Sequence, residues 1–329
     1  MISTDIEAAV AVLRAGGLVG MPTETVYGLA ADALNRNAIA KVFAAKGRPT
    51  SHPLIVHVAG LVDVEPWVKH LPDVLEPLLT KWWPGPLTVL LPRSSQVLDE
   101  VTGGRDTVAL RAPAHPVAQA LLQQLGSGVV APSANRFGRV SPTTAQDVVD
   151  ELGTSVSLVL DGGSCQIGIE STIVDLSGSE PKILRHGHIT QTDLETIIPG
   201  IEVVDGRAEA NAPGMLPGHY APNAKVVVLA PNAQISEVIE TAEKYMEQGH
   251  QVGVLAPETL NLGSLASLLV QLPAGGSPEH YAQVLYRRLR QADSDGVSVL
   301  VVVPPPPVGS GIAVADRLRR AAYGSHHTK

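Results

Sequence analysis

The chain has 329 residues, with 24 Lys+Arg against 32 Asp+Glu and a formal net charge of −8. Hydrophobic residues make up 44% and charged residues 17%, which suits about two domains and excludes a disordered, collagen-like or coiled-coil chain. One cysteine, Cys165, excludes an intrachain disulfide framework and a thiolate-rich zinc site, and 3% aromatic residues leave little from which to build a base-stacking platform for single-stranded nucleic acid.

The N-terminus carries Asp5, Glu7 and Arg14 among apolar residues and has no basic lead, so no secretory signal is expected. No apolar run is long enough to span a membrane, and a cytoplasmic protein is expected. Thr4 and Glu7 form a capping-box pattern ahead of Ile6, Val10 and Leu13, which share a helical face. Strands are predicted at Gly17–Met21, Pro53–Ala59, Leu87–Leu91, Thr107–Arg111 and Gly128–Ala131. Helices are predicted at Asn37–Lys46, at Pro72–Trp82 before Trp83-Pro84-Gly85, and at Pro116–Leu125 before Gly126. Ser141, with Pro142 at the first helical position, reads as the N-cap of a helix reaching Leu152. Three strands (Val156–Leu160, Ser171–Asp175, Lys182–Arg185) and a helix (Ile189–Ile198) follow.

From Pro199 to Asn223 periodicity stops and Pro-Gly pairs recur, a linker signature. Beyond it, strands at Lys225–Leu229, Gln251–Leu255 and Val297–Val303 alternate with helices at Ser236–Gln248, Ser277–Gln291 and Gly311–Ala322. Ser264–Leu272 fits either type. The expected division is 1–198, a linker at 199–224, and a small parallel α/β domain at 225–329.

Four segments at strand edges combine turn residues with polar side chains: Pro22–Leu29, Lys46–Leu54, Ala131–Thr143 and Glu170–Asp175 with Arg185 beyond. Residues 1–199 hold 14 basic and 20 acidic residues, yet Lys46, Arg48, Arg111, Arg136, Arg139 and Arg185 fall in or beside these segments. A basic pocket in an acidic chain suits a small polyanion, held by Arg, Lys, hydroxyls and backbone amides. Taken singly, Lys-Gly-Arg-Pro is more often a solvated turn, and His57 in an apolar strand is by default a core histidine. No Walker A pattern, His-Glu-x-x-His or paired-cysteine motif occurs, so no metal ligand set is assigned.

Together, PTETVYGL from Pro22, KGRP..HPLIVH from Lys46, PSAN..G..SPT from Pro132 and ESTIVD...ILR from Glu170 resemble the YrdC-like domain of threonylcarbamoyl-AMP synthases. PGMLPGHYAP from Pro213 and GSGIAVADRLRRAA from Gly309 resemble the long, two-domain form of that family. The resemblance implies an α/β protein: a YrdC-like twisted mixed sheet with helices, then a smaller Rossmann-like parallel α/β domain. It implies a nucleotidyltransferase that joins L-threonine, bicarbonate and ATP into L-threonylcarbamoyladenylate, releasing pyrophosphate. A separate tRNA threonylcarbamoyl transferase complex would then modify adenosine 37 of tRNA. Mg2+ would arrive with ATP.

Carried onto this sequence, the resemblance implies threonine contacts at Thr25, His57, Arg111, Ala131 and Ser171. It implies nucleotide contacts at Arg48, His52, Thr107, Ser133, Asn135, Ser141 and Arg185, with Tyr220 reaching back from the linker as a lid. Lys46 and Arg48 would be the catalytic charge stabilisers. His52 stands where relatives often carry Asn. Two other readings stay open: a tRNA-binding module without synthase activity, and a carbamoyl-adenylate enzyme of the hydrogenase-maturation type. The net charge of −8 opposes the first, and the single cysteine opposes the second.

Overall fold

Strands buried along nearly their whole length and helices with one buried stripe build the first of two units into which the chain divides. The structure is a computed structural model and describes residues 1–204, 219–258, 260 and 269–327. The first unit comprises Met1–Phe137, Ser141–Gln166 and Glu170–Met215; the second comprises Gly138–Val140, Ile167–Ile169 and Leu216–Lys329.

In chain order the first unit runs β1 (Ile2–Ser3), α1 (Ile6–Arg14), β2 (Val19–Met21), β3 (Gly28–Asp32), α2 (Arg36–Lys46), β4 (Ile55–His57), α3 (Leu75–Trp82) and β5 (Leu87–Pro92). It continues with α4 (Asp99–Thr102), β6 (Thr107–Arg111), α5 (Pro116–Leu125), β7 (Val129–Val130), α6 (Ala145–Leu152) and β8 (Leu158–Leu160). β9 (Thr172–Asp175), β10 (Lys182–Arg185), α7 (Gln191–Glu195) and β11 (Glu202–Val203) complete it. Among the described residues the strands form one mixed sheet of eleven in the order β1-β8-β2-β3-β7-β4-β6-β5-β9-β10-β11.

Alternation decides what each face of the central strands does. Val56, Val89, Leu91, Val108, Leu110, Val174 and Ile183 enter the main core, together with Ile39, Val42, Leu75, Leu78 and Val148 from the helices. Their strand neighbours Ile55, Leu90, Ala109, Ile173 and Leu184 form a separate small cluster. His57, Thr107, Arg111 and Thr88 are two residues away from members of that cluster, so they share its face.

Two predicted helix starts are corrected. Asp5, not Thr4, caps α1 by accepting from the Ala8 amide at 3.0 Å. α6 begins at Ala145, where Thr144 and Asp147 form a reciprocal capping box, and Ser141 lies outside the helix. Sequence reasoning missed β3, which pairs with β2 on one side and β7 on the other.

The second unit holds β12 (Lys225–Val228), α8 (Ile235–Glu247), β13 (Val252–Ala256), β14 (Val270–Pro273), α9 (Pro278–Ser294), β15 (Val299–Val302) and α10 (Ser310–His327). Its four strands are all parallel, in the order β12-β15-β13-β14. The segment that fitted either type ends in a strand, β14, while its residues 264–268 lie outside the described residues. So does 205–218, including the first six residues of PGMLPGHYAP. Among the described residues no helix is long and apolar enough to cross a membrane.

Candidate active site

β4 and β6 run parallel with His57 opposite Arg111, which sets an imidazole beside a guanidinium on the small-cluster face. Both side chains are buried. Arg111 Nη1 donates to Thr25 Oγ1 at 2.8 Å, Nη2 to Glu24 Oε1 at 2.6 Å and Nε to the Gly85 carbonyl at 3.3 Å. Thr25 comes from the turn between β2 and β3, where Thr23 Oγ1 lies 2.8 Å from Thr25 Oγ1. The Ala131 amide donates to the Ile55 carbonyl at 3.1 Å, which ties the end of β7 to β4.

On the far side of β6, the Val89–Leu110 pairing places Thr88 of β5 beside Arg111. Thr88 Oγ1 is 2.7 Å from Ser171 Oγ. Arg185 holds Ser171 twice, donating from Nε to its carbonyl at 3.0 Å and from Nη2 to its hydroxyl at 3.1 Å. Gly187 permits this close approach, since a Cβ there would stand 2.3 Å from the Thr172 nitrogen.

A second group forms where α2 ends. Gly47 is its left-handed C-cap at φ 62°, a conformation glycine adopts without strain. The turn places Lys46, the last residue of α2, and Arg48 on either side of Gly47. Lys46 is buried, and its Nζ donates to the carbonyls of Ser133 and of Asn135. Burial first, and Arg48 second, hold its pKa well below the usual lysine value. A neutral amine still carries two N–H groups, enough for both carbonyls. Asn135 Nδ2 donates to the Arg136 carbonyl at 2.7 Å.

Arg48 Nη2 donates to the Pro53 carbonyl at 2.9 Å, and the guanidinium lies 5.8 Å from the Phe137 ring centre. His52 meets the same ring edge-on at 5.4 Å, and burial, then Arg48 and Arg105, lower its pKa. Thr107 opens β6, paired with Pro92 of β5. Ser141 Oγ donates to Glu170 Oε1 at 2.7 Å.

The first unit therefore brings Thr25, His57, Arg111 and Ser171 onto one face, and gathers Lys46, Arg48, His52, Ser133 and Asn135 around the end of α2. Tyr220 belongs to the second unit. There it has φ 63° and is buried, with its ring stacked on Tyr286 at 5.6 Å and the Arg317 guanidinium 5.3 Å from its centre. Arg139 also clusters with that unit and donates to Asn223 Oδ1 at 2.7 Å. Sequence reasoning left Glu24, Thr88, Glu170 and Tyr27 without roles. Glu24, Glu170 and Tyr27 lie inside the recognised motifs, but their partners are distant in sequence. Tyr27 Oη donates to the Gly163 carbonyl at 2.8 Å and accepts from the Gly162 amide at 3.1 Å, fixing the Asp161-Gly162-Gly163 turn.

Burial first, then the adjacent Arg111 charge, push the His57 pKa down to about 3. An unfolded histidine takes a proton below about pH 6.5, whereas folded His57 stays neutral until near pH 3. Its contribution to stability is therefore complete above pH 6.5 and falls by about 1.4 kcal/mol per pH unit on acidification through that window. Urea unfolding between pH 7.5 and 4 is expected to show a shallower acid slope for His57→Gln than for the unchanged chain. Equal slopes would remove the effect.

Residues 11–187 match the Sua5/YciO/YrdC family model, described as "Telomere recombination". Residues 189–323 match the model described as "Threonylcarbamoyl-AMP synthase, C-terminal domain". A Pyrococcus abyssi protein named threonylcarbamoyl-AMP synthase is 40% identical over 324 residues, covering 96% of this chain and 94% of the relative. A Bacillus subtilis protein of the same name is 37% identical, covering 97% and 93%. The crystal structure of Pyrococcus abyssi Sua5 complexed with L-threonine superimposes with a TM-score of 0.91 at 38% identity, over 97% of this chain and 94% of that one.

Proposed function

This chain belongs to the threonylcarbamoyl-AMP synthase family, and on that premise we propose that it joins L-threonine, bicarbonate and ATP into L-threonylcarbamoyladenylate, pyrophosphate and water. One observation carries the assignment of the amino-acid end. Arg111 uses three of its five N–H groups on Gly85, Thr25 and Glu24, which leaves one on each terminal nitrogen for a carboxylate. The Pyrococcus abyssi relative was solved in complex with L-threonine, which supports an amino-acid substrate.

The threonine amine attacks the carbon of CO2 or bicarbonate, loses a proton and gives N-carboxythreonine. With bicarbonate, water leaves in that step. A carbamate oxygen then forms a bond to the α-phosphorus of ATP while the bond to the β-phosphate oxygen breaks, and pyrophosphate departs. Arg111 fixes the substrate carboxylate. Arg48, with Ser133 and Asn135 on the loop that Lys46 holds, takes the nucleotide; Arg185 joins that end to Ser171. Such chemistry depends on positioning and on neutralising charge more than on a nucleophilic side chain. His57, with its pKa near 3, is too weak a base for the substrate ammonium and serves as a neutral polar wall.

Among the described residues no group of three or more His, Cys, Asp or Glu side chains could hold a metal ion. Mg2+ enters this reading only as part of the ATP substrate. The product is a reactive mixed anhydride, which suits transfer to tRNA adenosine 37 by a separate threonylcarbamoyl transferase complex.

The reaction is tested by pyrophosphate release with L-threonine and bicarbonate omitted in turn. Release that needs both, and is much weaker with serine, is the expected result. Release without threonine, or none from folded protein with Mg2+ and ATP, would overturn it. Arg48→Ala is expected to weaken ATP binding at least about tenfold, the loss of one charge-assisted contact. Unchanged ATP affinity would take Arg48 out of the nucleotide site.

A further inference from the structure

Glu24 lies beside Thr25 in the first turn motif and is buried there. Its two carboxylate oxygens do different work. Oε1 accepts from Arg111 Nη2 at 2.6 Å, and Oε2 accepts from the Ala114 amide at 3.0 Å. The carboxylate thus stands between the guanidinium and the main chain three residues beyond it. On the guanidinium's other terminal nitrogen, Thr25 accepts from Nη1 at 2.8 Å.

The hydroxyl protons can be placed by elimination. Thr23 Oγ1 lies 2.6 Å from the Val26 carbonyl, which can only accept, so Thr23 gives its proton there. In the 2.8 Å contact between the two threonine hydroxyls Thr25 is then the donor, to an oxygen that also receives the Thr25 and Val26 amides at 3.2 Å. The polarity runs one way, from Arg111 to Thr25 to Thr23 to the Val26 carbonyl. Thr25 has given away its proton and keeps only acceptor capacity, which matches a substrate N–H. Arg111 keeps only donors, which match a substrate carboxylate.

We propose that Glu24 is a positioning residue that, with the Thr25–Thr23 relay, aims the two remaining Arg111 donors at the carboxylate of an α-amino acid and leaves Thr25 as the acceptor for its amino group. The inference rests on the functional reading above, that Arg111 receives the threonine carboxylate. Glu24 touches neither substrate nor nucleotide in this account and acts through Arg111.

The test compares L-threonine with L-threoninol, which has the amine and side chain but no carboxylate, by titration calorimetry on the full chain. Glu24→Gln turns an N–H group toward Arg111 in place of an acceptor. It is expected to lower threonine affinity about 30-fold while threoninol affinity changes less than about threefold. Glu24→Asp keeps the charge on a shorter stem and should retain part of the selectivity, with a loss of about fivefold. In turnover the defect should appear in the threonine KM, with the ATP KM unchanged. Threonine and threoninol losing affinity in equal proportion, or threonine binding Glu24→Gln as it binds the unchanged chain, would overturn the proposal. If Glu24→Gln does not fold, an unchanged threonine-to-threoninol ratio in Glu24→Asp overturns it equally. An unchanged chain that fails to prefer threonine over threoninol would overturn the functional reading itself.

Discussion

Arg111→Ala is expected to raise the threonine KM at least about 100-fold, a loss near 2.7 kcal/mol that matches removal of charge-assisted hydrogen bonds to a carboxylate. A second cost falls on the fold. The substitution leaves the buried Glu24 carboxylate without its cation, and breaking a buried ion pair on one side costs about 3–5 kcal/mol. Arg111→Lys separates the two effects. It keeps a cation near Glu24 but offers no planar fork, so stability should recover more than threonine binding does. Thermal melts and steady-state kinetics on both variants check this. Arg111→Ala turning over with the original threonine KM would exclude the carboxylate contact.

Lys46→Ala is expected to cost about 3 kcal/mol of stability, because a buried carbonyl at Asn135 and a part-buried one at Ser133 lose their donor together. For a domain of this size that corresponds to a melting point about 6–12 °C lower. The same loop carries Ser133 and Asn135, so ATP binding should weaken along with the melt. Lys46→Met keeps the apolar stem and removes only the donors, and should reproduce most of the loss. A melting point within about one degree of the unchanged chain would show that other donors satisfy those carbonyls. The expectation recasts Lys46, read from its motif as a catalytic cation, as the residue that fixes the nucleotide loop.

Much of the fold was legible where periodicity and punctuation agree. Thr107–Arg111, Pro116–Leu125 and Lys182–Arg185 have the predicted bounds: the two strands are apolar runs between polar ends, and the helix stops at Gly126. β3 was not legible: Gly28-Leu29-Ala30-Ala31-Asp32 has little β propensity, and its pairing on both edges decides its conformation. Ser141 and Thr144 both have N-cap chemistry. The choice falls to Thr144 because Asp147 can close a capping box with it, while Glu170 takes the Ser141 hydroxyl. The motifs marked residues that the fold brings near one another, but not which atoms meet. Arg111 finds Glu24 across 87 positions and Lys46 finds Asn135 across 89, and such separations leave no local pattern.

The sheet order also bears on how the chain must be made. β1, at residues 2–3, has its partner β8 at residues 158–160, and β2 pairs with the same strand. At a synthesis rate of about 5–20 residues per second, those N-terminal strands wait about 8–30 s before their partner is translated. Both Thr25 and Arg111 emerge well before Ser171 and the Arg185 that holds it, so no nascent fragment short of β10 contains the proposed threonine contacts together with that support. Contacts of such high sequence separation fold slowly, and the unpaired edges of β1 and β2 are the surfaces that a nascent-chain chaperone would have to cover.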